Sequence, residues 1–134
     1  MLKGPRRLLL LRGDRVLRDY EIALGRNPTG PKHNHGDGRT PEGRYVLDWR
    51  IDDSRFHRAL HVSYPNERDL DFARRAGLSA GEGVMIHGLP RSASWVGEVQ
   101  SSYDWTNGCI AVSDDEMDEI WERVDDGTPI EIRP

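Results

Sequence analysis

The run Trp105-Thr106-Asn107-Gly108-Cys109-Ile110-Ala111-Val112-Ser113-Asp114-Asp115-Glu116 carries a turn, a strand and a helix start in immediate succession. Asn-Gly is the strongest two-residue turn signal, and the apolar Ile110 to Val112 that follows reads as a buried strand. Ser113 and Glu116 form a capping box, while Asp114 and Asp115 suit the positive end of a helix. Met117, Ile120, Trp121 and Val124 then recur on one helical face, and Gly127 offers a stop, so the spacing predicts a helix over about 114–126. A thiol is thereby set where a tight turn enters a sheet.

On either side of this run, short strands dominate. Arg6 to Leu11 and Arg15 to Leu24 form a predicted hairpin about Arg12-Gly13-Asp14, and Tyr45 to Trp49 and Leu60 to Tyr64 are further strands. Asn66 caps a short helix over 66–76 with Gly77 as its left-handed stop. Val84 to Ile86 and Pro129 to Ile132 complete the strands. Glycines and prolines exclude a regular element from Gly25 to Gly43, and Leu89 to Tyr103 is a second long polar loop. Many short strands with two helices predict a mainly-β, sandwich-like fold. No repeat or linker divides the chain, so residues 1–134 are expected to form a single domain.

The 134 residues carry 19 Lys+Arg and 23 Asp+Glu, a formal charge of −4, which argues against broad nucleic-acid binding. Apolar residues make up 36% and recur at regular spacing, which argues against disorder. No apolar run approaches the roughly 20 residues of a membrane helix. Leu8 to Leu11 is too short and too abruptly closed by Arg12 to serve as a leader peptide, so this chain shows no export signal. With one cysteine there is no internal disulfide.

Cys109 has two readings. Asn107 and Gly108 tolerate positive φ, which would let the Gly108 and Cys109 amides converge on an oxyanion beside a nucleophilic sulfur. Alternatively the thiol merely packs, as free cysteines commonly do. His87, 22 positions upstream, ends an apolar strand next to Gly88. It is either the partner that takes the thiol proton, or forms a thiolate–imidazolium pair, or is a strand-end histidine bonded to a carbonyl. His33 and His35, with Asp37, are too few for a metal site and read as a solvated loop, so no metal is expected. His57 and His61 flank a strand, where a cleft or an exposed face explains them equally.

Three motifs in order resemble the L,D-transpeptidase (YkuD-type) catalytic domain. Thr40-Pro41-Glu42-Gly43-Arg44-Tyr45 is similar to the family's strand entry, Ile86-His87-Gly88 to its catalytic-histidine strand end, and Thr106-Asn107-Gly108-Cys109-Ile110 to its cysteine signature. The helix after them and Gly127-Thr128-Pro129-Ile130 match its usual ending. Asn107 stands where most members carry a second histidine. Gly36 to Gly43, Ser63-Tyr64-Pro65-Asn66 and Asn107 together resemble the YafK-like branch, which includes an enzyme that detaches a lipoprotein from peptidoglycan.

The resemblance implies a sandwich-like fold with mixed sheets and cysteine acyl transfer on peptidoglycan stem peptides without a cofactor. Cys109 would form the thioester, His87 would move the proton, and the Gly88 carbonyl would orient His87. Gly108 and Cys109 amides would form the oxyanion hole. Arg39, Tyr64, Trp105 and Asn107 are expected to line the substrate, with an Arg39 pair to Asp37 or Glu42 and simple packing of Trp105 as alternatives. A hydrolase of stem peptides at the same site and a non-catalytic wall-binding module are the competing readings. Peptidoglycan peptides, and an envelope lipoprotein, are the expected partners of a monomer in the cell envelope or periplasm, a removed leader being assumed.

Overall fold

A computed structural model describes residues 1–92 and 100–134. Two strands, β1 (Arg7–Arg12) and β2 (Arg15–Glu21), form the predicted hairpin with Arg12 opposite Arg15 across Gly13-Asp14. The other five, β3 (Gly43–Ser54), β4 (His57–Val62), β5 (Met85–His87), β6 (Ile110–Ala111) and β7 (Thr128–Ile132), make one sheet in the order β6-β5-β4-β3-β7. Its pairs are antiparallel except β5 with β6, so the sheet is mixed. Helices α1 (Glu67–Ala76) and α2 (Asp114–Arg123) complete a mainly-β fold, as the sequence led us to expect.

The chain leaves β2 through Ile22-Ala23-Leu24, all buried, and Ala23 exchanges both backbone hydrogen bonds with Ala111 at 3.0 and 2.9 Å. This stitches the hairpin segment to the β6 edge. The shared core contains Leu8 and Tyr20 from the hairpin, Leu60, Val62, Ile86 and Ile110 from the sheet, and Met117 and Ile120 from α2. Each fully buried aliphatic side chain of this kind contributes about 1.5–3 kcal/mol.

The differences from the sequence reading lie at element ends. β3 runs on to Ser54 and β4 begins at His57, past the predicted Trp49 and before Leu60. The added segment is largely polar and solvent-facing, so it lacks apolar alternation while its backbone still closes a ladder. Tyr64 lies beyond β4. Helix α2 ends at Arg123, with Val124 extended, rather than near 126. Arg50 of β3 explains this: its guanidinium donates to the Trp121 carbonyl at 3.0 Å and the Val124 carbonyl at 2.5 Å, and pairs with Asp126 at 2.8 Å. Those bonds satisfy helix-end carbonyls from outside the helix. Gly127 instead starts the turn into β7, donating to the Leu47 carbonyl at 2.7 Å. In the predicted loop Leu89 to Tyr103, Gln100–Ser102 forms one 3₁₀ turn, and residues 93–99 lie outside the described part.

Candidate active site

β5 and β6 run parallel with Ile86 opposite Ile110 and His87 opposite Ala111. Cys109 precedes β6, so it and His87 fall on the same face of neighbouring strands, two positions apart along the ladder. The turn that delivers Cys109 is held from three directions. Thr106 Oγ1 accepts from the Gly108 amide at 3.1 Å and donates to the Cys109 carbonyl at 2.7 Å. From the irregular stretch between β2 and β3, Thr40 Oγ1 donates to the Gly108 carbonyl at 3.0 Å and accepts from the Gly25 amide at 3.2 Å. Backbone also presses directly on the turn: a Cβ at Gly108, where φ is 131°, would lie 2.6 Å from the Arg39 carbonyl oxygen. Only glycine fits so close an approach.

His87 is 3% exposed. Its Nδ1–H donates to the Gly88 carbonyl at 2.7 Å, which leaves Nε2 as the unprotonated nitrogen of the neutral ring. Phe56, from the β3–β4 turn, stacks on the imidazole with centroids 4.4 Å apart, and Trp105 tilts against it at 5.9 Å. Burial in this aromatic niche pushes the imidazole below its ordinary pKa, opposed only in part by the bond to Gly88.

Cys109 is partly exposed and opens into a different environment. It lines a cavity of about 580 Å³ shared with Arg26, Lys32, Asp37, Glu82 and Asn107. The thiol donates to the Gly83 carbonyl at 3.5 Å. Burial pushes its pKa up, while a hydrogen bond from the Met85 amide and the Lys32 ammonium pull the other way. Sulfur and imidazole have separate hydrogen-bond partners, and none joins them among the described residues. A separate apolar hollow of about 280 Å³ between β1 and β7 is lined by Leu8 to Leu11, away from the sulfur.

The family model for the L,D-transpeptidase catalytic domain (YkuD) matches residues 2–132. The chain belongs to this family. It is 31% identical over 111 residues to YafK of Escherichia coli (strain K12), a match that covers 81% of this chain and 37% of YafK. The helical cell shape determining protein Pgp2 from Campylobacter jejuni superposes with a TM-score of 0.70 at 26% identity, covering 98% of this chain and 45% of Pgp2. An L,D-transpeptidase from Mycobacterium smegmatis superposes with a TM-score of 0.65 at 19% identity, covering 99% of this chain and 56% of that one, which shows a common fold. The chain thus spans well under two thirds of each of these relatives.

The L,D-transpeptidase fold gathers some of the expected site residues and removes others. Cys109, Gly108 and Asn107 line the polar cavity, while His87, Gly88 and Trp105 are not among its lining residues and gather instead around the imidazole. Tyr64 does not reach it: the ring is 2% exposed and its hydroxyl donates to the Ala80 carbonyl at 2.8 Å, so it is a core residue. Arg39 does not line the cavity either. Its guanidinium lies against Gly30, and Asp37 and Glu42 pair with Lys32 and Lys3 instead. The oxyanion expectation is altered at Gly108, whose amide is committed to Thr106 Oγ1. Asn107 keeps a negative φ, so only Gly108 departs from the usual backbone range.

Three other histidines have separate partners: His33 stacks on Phe72 at 4.0 Å, His57 pairs with Asp118 and His61 with Asp48, each at 2.6 Å, whereas His35, expected in a solvated loop, lines the cavity with Cys109. Sequence reasoning missed Phe56 and Lys32. Phe56 carried no signal, because a hairpin-tip aromatic has no periodicity. Lys32 had one faint signal, a cation five positions before an aspartate inside a glycine-rich loop.

Proposed function

We propose that this chain is a cysteine acyltransferase of peptidoglycan stem peptides that works through a Cys109 thioester. The observation that carries this reading is the division of the site: a sulfur open to a polar cavity, and on the neighbouring strand an imidazole fixed in one tautomer with Nε2 left to accept a proton. Burial pushes the thiol up and the imidazole down, which disfavours the charged form of each.

In the proposed reaction the thiol leaves the Gly83 carbonyl, passes its proton to His87 Nε2, and the sulfur attacks the carbonyl carbon of a diamino-acid residue in the stem. The Cys109 amide, which has no protein acceptor among the described residues, faces the developing oxyanion. Collapse breaks the carbon–nitrogen bond, and the imidazolium returns its proton to the departing D-alanine amine. An incoming amine then takes the acyl group to form a cross-link, with release of the thiol. Water in its place gives cleavage only. The natural setting of this chemistry is the cell envelope. Among the described residues no helix is long and apolar enough to cross a membrane.

Incubation with a disaccharide-tetrapeptide tests the reading by its products. Free D-alanine with a cross-linked dimer is the expected result. D-alanine with only the tripeptide assigns the same site to a hydrolase, and neither product from folded protein overturns the acyl-transfer reading in favour of a binding module.

A further inference from the structure

Lys32 is the feature of the cavity that the reaction above leaves unused. It is buried, yet its ammonium lies at the cavity wall beneath the Cys109 turn, 3.9 Å from where a Cβ on Gly108 would sit. It is fixed there by Asp37 Oδ1 at 2.9 Å and the Asn34 carbonyl at 3.2 Å. Asp37 in turn is anchored: against the upward push of burial, the His33 amide, Lys32 and the Asn34 and Arg39 amides hold its carboxyl down to about 2. A buried cation held by a carboxylate that is itself held by three backbone amides is a preorganised charge, and Cys109 opens onto the same cavity.

We propose that Lys32 is a positioning residue that acts through the sulfur, its ammonium, held at the cavity wall by Asp37, stabilising the Cys109 thiolate. This rests on Cys109 being the reactive thiol. An ammonium beside a cysteine lowers the cost of ionising it, and the lower the local polarity the larger the effect. The same field acts on the negative tetrahedral intermediate formed at Cys109. The other charged or titratable groups around the thiol are Arg26, His35, Asp37 and Glu82 in the cavity, and His87 on β5. Of these, Asp37 is spent on Lys32 and the loop amides, and His87 is withdrawn among aromatic rings.

The test reads the sulfur directly, without substrate, so it stands apart from whether the chain transfers acyl groups. The rate of Cys109 alkylation by iodoacetamide is followed against pH in the wild type, Lys32→Met and Lys32→Arg. Lys32→Met is expected to move the midpoint upward by about one pH unit, roughly tenfold slower alkylation at neutral pH, while Lys32→Arg keeps most of the wild-type behaviour. Because Lys32→Met leaves Asp37 without its cation, the neutral pair Lys32→Met/Asp37→Asn is measured beside it and is expected to show the same upward move with folding retained. A wild-type midpoint in either folded Met variant overturns the proposal. So does an equal shift in Lys32→Arg, which would make the effect one of packing rather than charge.

Discussion

The two halves of the site are built on opposite principles. The imidazole side is dry: His87 is stacked on Phe56 with Trp105 tilted against its edge, tied to its own neighbour's carbonyl, and almost sealed from solvent. The sulfur side is open and charged, a cavity whose walls carry lysine, arginine, aspartate and glutamate. In the proposed reaction orientation and reactivity are thus supplied separately: the Gly88 carbonyl fixes the tautomer of His87 and Phe56 its ring plane, while charges and backbone amides around the cavity would set the ionisation of Cys109.

Loss of the sulfur has the largest expected effect. Cys109→Ala is expected to lower acyl transfer at least about a thousandfold, as loss of a nucleophile does. Its thermal midpoint should stay within about 2 °C of wild type, because a partly exposed turn thiol contributes little core volume. A large fall in melting temperature would instead identify the cysteine as a packing residue. On the imidazole side, His87→Asn is expected to cost about 100- to 10,000-fold in kcat/KM, the usual range for a general base.

The same residue predicts a pH effect on stability. A histidine depressed in the folded state but ordinary when unfolded binds more protons in the unfolded chain, so its contribution is intact above about pH 6.5 and is lost as pH falls below that value. Chemical denaturation at pH 5 and pH 8 should show a smaller pH dependence in His87→Asn than in wild type.

Two smaller changes sharpen the contrast. Thr40→Val deletes the hydroxyl that joins the Gly25 amide to the Gly108 carbonyl, stranding two buried groups at a cost of about 1–3 kcal/mol in denaturant unfolding. Phe56→Ala opens the dry side. The imidazole pKa should rise toward its ordinary value of about 6.5, moving the acid limb of the pH–rate profile upward while leaving the alkaline limb in place.

Much of this molecule is readable from local sequence. The Asn-Gly turn before Cys109, the apolar strand ending on His87-Gly88, and the capping boxes at Asn66 and Ser113 are each specified within a few residues, and each is present in the fold. Misreadings arose where a distant residue decides. The end of α2 is set by Arg50, far away on β3, and the polar outer part of the β3–β4 hairpin is sustained by backbone pairing alone. Tyr64 and Arg39 looked available because polar groups near a motif resemble ligands, but the Ala80 carbonyl takes one and the other turns to Gly30. The Gly108 amide was misjudged because Thr106, two residues away, competes for it, a side chain to backbone bond that turn propensity does not reveal. Lys32 and Phe56 reach the site across loops whose course no periodicity predicts.

Whether Cys109 carries the acyl group is decided by acid quench of the protein early in its reaction with a disaccharide-tetrapeptide, followed by intact mass and peptide mapping. We expect an adduct equal to the substrate less D-alanine, confined to the peptide containing Cys109 and lost on treatment with hydroxylamine, as a thioester is. Turnover of the substrate with Cys109 unmodified, or undiminished turnover by Cys109→Ala, would contradict acyl transfer through Cys109.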